Sequence, residues 1–200
     1  MQLIVATRNT HKTREIKQIL GSGLAVRDLT AHPEIPEITE SGTSFEENAK
    51  LKAIAVSRKL PGLVIADDSG LEVEALGGAP GIHSARYADA NASDKEKIAR
   101  LLSRLAKVDA KSDQRSARFR CALAVARGGR VLATFEGVVE GKIAERPRGS
   151  QGFGYDPIFI PNGFEETFAE LPEEVKNNIS HRAKAICKLH AKLPTLCGKV

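Results

Sequence analysis

Leu63-Val64-Ile65-Ala66-Asp67-Asp68-Ser69-Gly70 runs from four apolar residues into two carboxylates and a pair of turn formers. A short apolar run bounded by Gly and Pro signals reads as a buried strand, here entered after Pro61-Gly62 and left at Ser69-Gly70. The residues before it read as a helix. Ser44 with Glu47 makes a capping-box pattern, Thr43 with Glu46 a second one, and Phe45, Ala49, Ala53, Val56 and Leu60 form one apolar stripe. Helix and buried strand also alternate further out. Leu3 to Ala6 reads as a strand, Thr7 to Lys12 as a polar loop, and a helix follows with Ile16, Ile19 and Leu20 on one face. Leu24 to Leu29 is a candidate second strand. Ala31 to Gly42, with Pro33, Pro36, Glu34, Glu37 and Glu40, reads as an acidic loop.

The second half changes character. Leu71 to Leu76 alternates apolar and acidic residues, as a half-exposed strand does. Gly77, Gly78, Pro80 and Gly81 make a turn-rich loop. Ser93 and Glu96 cap a helix that turns Ile98, Leu101, Leu102 and Leu105 inward. Phe119 to Ala126 and Val131 to Val139, joined at Gly128-Gly129, read as a β-hairpin. Pro172 opens a short helix, and Ser180 caps a last one carrying Ala183, Ile186, Leu189 and Leu193. The fold class is α/β. No linker is visible, so residues 1–200 are expected to form one domain with two lobes.

Composition narrows the function. Of 200 residues, 42% are apolar, which suits a globular core. Lys plus Arg number 30 against 25 Asp plus Glu, a net charge of +5 that favours polyanionic partners, nucleotide or nucleic acid. Cys121, Cys187 and Cys197 are widely spaced and include no CxxC, which argues against a zinc site or a disulfide framework. No apolar run is long enough to span a membrane, and Met1-Gln2 lead into a strand rather than a basic n-region. A cytoplasmic protein is expected. The histidines at 11, 32, 83, 181 and 190 lack the HExxH spacing, and neither a GxSxG elbow nor a GxGxxG fingerprint occurs.

Four places carry candidate chemistry. The Thr7–Lys12 loop joins a strand to a helix N-terminus, where free N–H groups attract anions, and Lys12 adds a cation; an ordinary strand–helix turn is the plain alternative. Asp67 and Asp68 end a buried strand, where adjacent carboxylates are costly unless paired, solvated or metal-bound. They suit Mg²⁺, or a solvated turn. Strand alternation sends them to opposite faces, so only one is expected to serve a ligand. Glu40 could add a second carboxylate, and Lys52 could meet phosphate or stay a surface lysine. Gly149-Ser150-Gln151-Gly152-Phe153-Gly154-Tyr155-Asp156 sets two of the chain's few aromatics among glycines, as a base-stacking loop or as a loop pinned to the core. Lys176, His181 and Arg182 could donate to a base carbonyl, or form a solvated basic helix start.

Six segments in order resemble the noncanonical purine nucleoside triphosphate pyrophosphatases, also called inosine triphosphatases or dITP/XTP pyrophosphatases. They are residues 7–12 (TRNTHK), 44–53 (SFEENAKLKA), 66–70 (ADDSG), 75–88 (ALGGAPGIHSARYA), 152–159 (GFGYDPIF) and 179–182 (ISHR). The resemblance implies an elongated two-lobed mixed-sheet fold with a central nucleotide-binding cleft, usually a homodimer. It implies Mg²⁺, or Mn²⁺ in its place, bound by Asp68 and Glu40, with Asp68 as general base and Asp67 as its helper. It places Thr7, Arg8, Asn9, Thr10, His11, Lys12 and Lys52 at the phosphates, and Ser69 in contact with substrate. Phe153, Gly154, Tyr155 and Asp156 should line the base pocket, closed by Lys176, His181 and Arg182. Arg8 departs from the family's frequent glycine, His11 from smaller residues, and Val175 from a frequent Glu; none removes a proposed group.

The implied reaction is hydrolysis of inosine, deoxyinosine and xanthosine triphosphates to monophosphate and pyrophosphate, clearing damaged purines from the nucleotide pool. Membrane and nucleic-acid partners are not expected. A nucleic-acid-binding module is the non-enzyme alternative, and a pyrimidine triphosphate pyrophosphatase the enzymatic one.

Overall fold

The computed structural model describes residues 2–89, 91–108 and 114–197. Its elements run β1 (Gln2–Val5), α1 (Thr10–Leu20), β2 (Ala25–Asp28), α2 (Phe45–Ser57), β3 (Leu63–Val73), α3 (Asp94–Lys107), β4 (Ser116–Arg127), β5 (Arg130–Ile143), β6 (Phe159–Pro161), α4 (Glu173–Ile179) and α5 (His181–Cys197). The sheet order is β2-β1-β3-β4-β5-β6. β1 pairs in parallel with both β2 and β3, and β5 pairs antiparallel with β6. The α/β class expected from sequence is therefore observed, with a mixed sheet.

The described residues form two compact units. The first comprises residues 1–68, 121–137 and 181–200, the second residues 69–120 and 138–180. Each has its own core. In the first, Leu3, Val5, Ile16, Leu63, Ile65, Leu123, Val125, Ile186 and Leu189 pack together, and α1 lies on α5. In the second, Leu71, Val73, Ile98, Leu101, Leu105, Phe159 and Phe168 do so, with the Phe119 and Phe159 rings edge to face at 4.7 Å.

Local signals place most elements. Ser93 and Glu96 form a complete capping box at α3, and Ser44 accepts the Glu47 amide at the start of α2. Gly128 and Gly129 both take positive φ between β4 and β5, as a two-residue hairpin turn requires. One expectation is corrected. β3 does not stop at Asp67 but runs on through Asp68, Ser69 and Gly70 to Val73, and residues 74–76 form a 3₁₀ turn rather than strand. Turn propensity at Ser69-Gly70 is weak against ladder pairing in a six-stranded sheet. Asp67 and Asp68 thus sit in mid-strand, not at a strand's carboxyl end.

Gly137 in β5 lets α5 approach backbone to backbone: a Cβ there would collide with the His181 carbonyl and lie 2.7 Å from the Ala185 nitrogen. Gly137→Ala should displace the start of α5, which carries His181 and Arg182, at a cost of about 1–3 kcal/mol. Urea unfolding would read this as a lower midpoint. An unchanged midpoint would show that the approach has slack.

Candidate functional site

The first unit gathers most of the sequence-predicted polar residues. Strand alternation sends the two aspartates to different partners, as expected. Asp67, 2% exposed, accepts two bonds from Arg182 on its Oδ2 (Nε 3.1 Å, Nη2 2.9 Å), and the Lys12 ammonium lies 2.9 Å from its Oδ1. The Cys121 thiol, 3.9 Å from the same Oδ2, also faces it. Asp68 accepts from Asn48 Nδ2 at 3.2 Å on Oδ2 and from Lys52 Nζ at 3.2 Å on Oδ1. Lys52 Nζ donates further to Glu40 Oε1 at 2.7 Å and to the Asp67 carbonyl at 2.8 Å.

These neighbourhoods push the two carboxyl groups apart. Burial alone would raise Asp67, but the charges of Lys12, Arg182 and Lys52 override it and hold the group well below the usual carboxylate range. For Asp68, burial dominates; Lys52 opposes it, Glu40 reinforces it, and the carboxyl lies above its ordinary value. Burial would lower the Lys52 ammonium, yet Asp68, Glu40 and Asp67 together raise it. Neighbouring carboxylates driven in opposite directions are how one site separates a permanently charged group from a proton acceptor. Asp67 is the fixed anion and Asp68 the more basic oxygen.

The junction of residues 7–12, whose last three residues belong to α1 and not to the loop expected from sequence, is organised mainly by its own side chains. Thr7 Oγ1 accepts the Asn9 amide, and Asn9 Oδ1 caps α1 by accepting the amides of His11 (3.0 Å) and Lys12 (3.2 Å). Thr10 is the exposed first residue of α1. The Arg8 guanidinium donates to the carbonyls of His32 (3.2 Å) and Ile35 (2.5 Å), so it braces the following loop. Arg182 is 2% exposed and its Nη1 bonds Glu15, 2.5 Å away; its charge is spent between two buried carboxylates. His181, the first residue of α5, is also buried.

Three members of this network escaped the sequence reading: Glu15, Asn48 and Cys121. Helical spacing held a signal for two of them. Glu15 stands one turn after Lys12 on α1, and Asn48 one turn before Lys52 on α2, so each shares a face with a residue already singled out. Asn48 also accepts the Gly42 amide at 2.8 Å, which fixes the loop just after Glu40.

The second unit holds the aromatic loop. Lys176 and Asp156 form a buried pair, Nζ to Oδ2 at 2.5 Å, and the same oxygen accepts the Phe153 amide at 2.8 Å. The ammonium lies 5.0 Å from the centre of the Phe153 ring, within cation–π range. Gly152 adopts φ +74°, and a Cβ there would run into the Asp156 carboxylate. Gly154 donates to Asp94 Oδ2 at 2.6 Å. The two aromatics differ. Tyr155 is a core residue, its hydroxyl donating to the Ser84 carbonyl at 3.0 Å and its pKa driven up by burial. Phe153 is only half-buried. Ser69 opens this unit at intermediate exposure.

Known proteins resemble this chain over nearly its whole length. A dITP/XTP pyrophosphatase from Geobacillus kaustophilus is 50% identical over 198 residues, covering 98% of this chain and 96% of its own. One from Bacillus subtilis is 50% identical over 189 residues, 94% of each. Among solved structures, a HAM1 protein from Coxiella burnetii superimposes with a TM-score of 0.87 at 38% identity over 98% of this chain and 99% of that one. The Staphylococcus aureus Ham1 protein gives 0.84 at 39%, over 98% and 100%. The Ham1 family model matches residues 3–192, and this chain belongs to the Ham1 family.

Proposed function

We propose that this protein hydrolyses inosine, deoxyinosine and xanthosine triphosphates to the monophosphate and pyrophosphate, with Mg²⁺ or Mn²⁺, and so clears damaged purines from the nucleotide pool. The observation that carries the reading is the split between Asp67, held ionised by Lys12 and Arg182, and Asp68, raised and turned to Lys52 and Glu40. A raised carboxylate is the better proton acceptor. Relatives at about half identity bear the name dITP/XTP pyrophosphatase, which supports the same substrate class.

The residues present fit a magnesium site. Glu40 and Asp68 aim hard oxygens at one cation, the Lys52 ammonium. Among the described residues no cluster of three or more His, Cys, Asp or Glu occurs, and Mg²⁺ commonly takes one or two carboxylates and completes its shell with water and phosphate. Glu40 and Asp68 would hold it, and it would offset charge on the phosphate oxygens.

The chain's own groups do the rest. Asp68 orients and deprotonates the attacking water. Lys12 and Lys52 stabilise the departing pyrophosphate, with Thr7, Arg8, Asn9, Thr10 and His11 around the phosphates. Asp67 holds Lys12 in place. Phe153 takes the base, Gly154, Tyr155, Asp156 and Lys176 shape its surroundings, Ser69 and His181 add substrate contacts, and Arg182 joins them by exchanging a bond to Asp67 for one to the base carbonyl. A 6-carbonyl needs donors that adenine's amino group would leave unpaired, which is the origin of selectivity over ATP; guanine shares that carbonyl, so rejection of GTP rests on its 2-amino group. The protein acts as a cytoplasmic homodimer; among the described residues no helix is long and apolar enough to cross a membrane.

The test is product identity with inosine, xanthosine, ATP and GTP substrates in H₂¹⁸O. Label in the monophosphate, with unlabelled pyrophosphate, is expected for inosine and xanthosine, with slow turnover of ATP and GTP and none in EDTA. Diphosphate plus orthophosphate would move attack to the γ-phosphorus and undo these roles.

A further inference from the structure

Lys52 has a fully engaged ammonium. Its stem is buried in α2, and its ammonium meets Glu40 Oε1 at 2.7 Å, the Asp67 carbonyl at 2.8 Å and Asp68 Oδ1 at 3.2 Å. An ammonium has three protons to give, and these three acceptors take them all. Two of the three are the carboxylates that fit a divalent cation, so the same oxygens serve two cations.

We propose that Lys52 and the divalent cation compete for the Glu40–Asp68 pair, so that the metal loads fully only when the substrate's phosphates give the Lys52 ammonium another place to go. The proposal rests on the reading above that Glu40 and Asp68 hold the metal. Three physical points support it. Two carboxylates that bond one ammonium, at 2.7 Å and 3.2 Å, are near enough to repel one another, and one cation between them relieves that repulsion. A second cation against the same oxygens faces the ammonium's charge at low effective dielectric, so the two exclude each other. A lysine is a compact charge on a flexible four-carbon stem, able to move to a phosphate without shifting its helix. Lys52 is then more than a phosphate ligand. It stabilises the carboxylate pair when no metal is bound, and it couples metal affinity to nucleotide affinity in both directions.

The coupling is measured without turnover. Mn²⁺ binding, followed by the loss of its free electron-spin resonance signal, is compared in the wild type, Lys52→Met and Glu40→Gln, with no nucleotide present. Lys52→Met should bind Mn²⁺ alone about 5- to 150-fold more tightly than the wild type, the usual span of a coupling between two ligands. Glu40→Gln should bind it more weakly. Equal or weaker binding by Lys52→Met, alongside a weakened Glu40→Gln, overturns the competition while the metal assignment stands. Unchanged binding by Glu40→Gln removes the metal assignment itself, and the proposal with it.

A wild-type measurement covers the case in which Lys52→Met does not fold. Acetic anhydride labelling read by peptide mass spectrometry should show Lys52 protected without metal. Saturating MgCl₂, which displaces the ammonium by mass action, should increase its acetylation about fivefold or more, relative to exposed Lys95. Lys52 labelling that stays level or falls on adding MgCl₂ overturns the proposal.

Discussion

Asp68→Asn is expected to lower turnover of inosine triphosphate by about 10²–10⁴-fold, the usual contribution of a positioned proton acceptor. The substitution keeps the shape of the side chain and removes its charge and basicity. Asn48 still has a carbonyl oxygen to donate to, and Lys52 still has Glu40 and the Asp67 carbonyl, so the local packing survives. Burial is what gives Asp68 its raised pKa, and Glu40 adds to it. The two effects on function therefore act together: the lost base slows the chemical step, and the lost carboxylate weakens the metal site. Steady-state kinetics with saturating Mg²⁺, beside a thermal melt, separate this from unfolding. A folded Asp68→Asn protein with near-normal turnover would remove Asp68 from the mechanism.

The second large effect is on stability. Arg182→Ala should destabilise the protein by about 3–5 kcal/mol, the range for breaking a buried ion pair by deleting one partner. For a chain of this size that is roughly 6–20 °C in Tm, at about 2–4 °C per kcal/mol. The guanidinium is 2% exposed, and its removal takes a counter-charge from two buried carboxylates, Asp67 and Glu15. Asp67 would keep Lys12 as a counter-charge, while Glu15 would lose its Arg182 partner. Differential scanning fluorimetry checks the prediction, and a drop below about 1 kcal/mol, the scale of a surface pair, would mean that the network is not coupled. The same variant is a poor probe of base selectivity, because a change in the inosine-to-adenosine ratio would mix base reading with displacement of Asp67. Arg182→Lys keeps a charge but cannot span both carboxylates, and should fall between the two.

Much of the architecture is legible from local pattern. The Ser93–Glu96 box, the Gly128–Gly129 turn and the buried stripe of Ala183, Ile186 and Leu189 each depend on residues a few positions apart, and all three appear where the pattern puts them. The aromatic loop is half legible. Its composition marks residues 149–156 as special, but which ring is buried depends on packing: the Tyr155 hydroxyl bonds Ser84, 71 residues away in sequence, and its ring joins the core, while Phe153 stays half-buried beside Lys176.

Local sequence carries the α/β class, the capped helix starts at Ser44 and Ser93, and the set of segments that carry polar chemistry, because short-range sterics, capping and hydrophobic periodicity act within a few residues; helix ends are less legible, since α1 already begins at Thr10 and α2 stops at Ser57, short of Leu60. Tertiary structure alone decided which charge faces which. Asp67 and Asp68 are adjacent and chemically identical, and nothing in their local sequence tells the anchored anion from the basic one. The difference comes from Lys12 and Arg182 on one side of β3 and from Glu40, Asn48 and Lys52 on the other. Glu15 and Arg182 meet across 167 residues of chain. Electrostatic character depends on distance and burial in space, and the fold sets both.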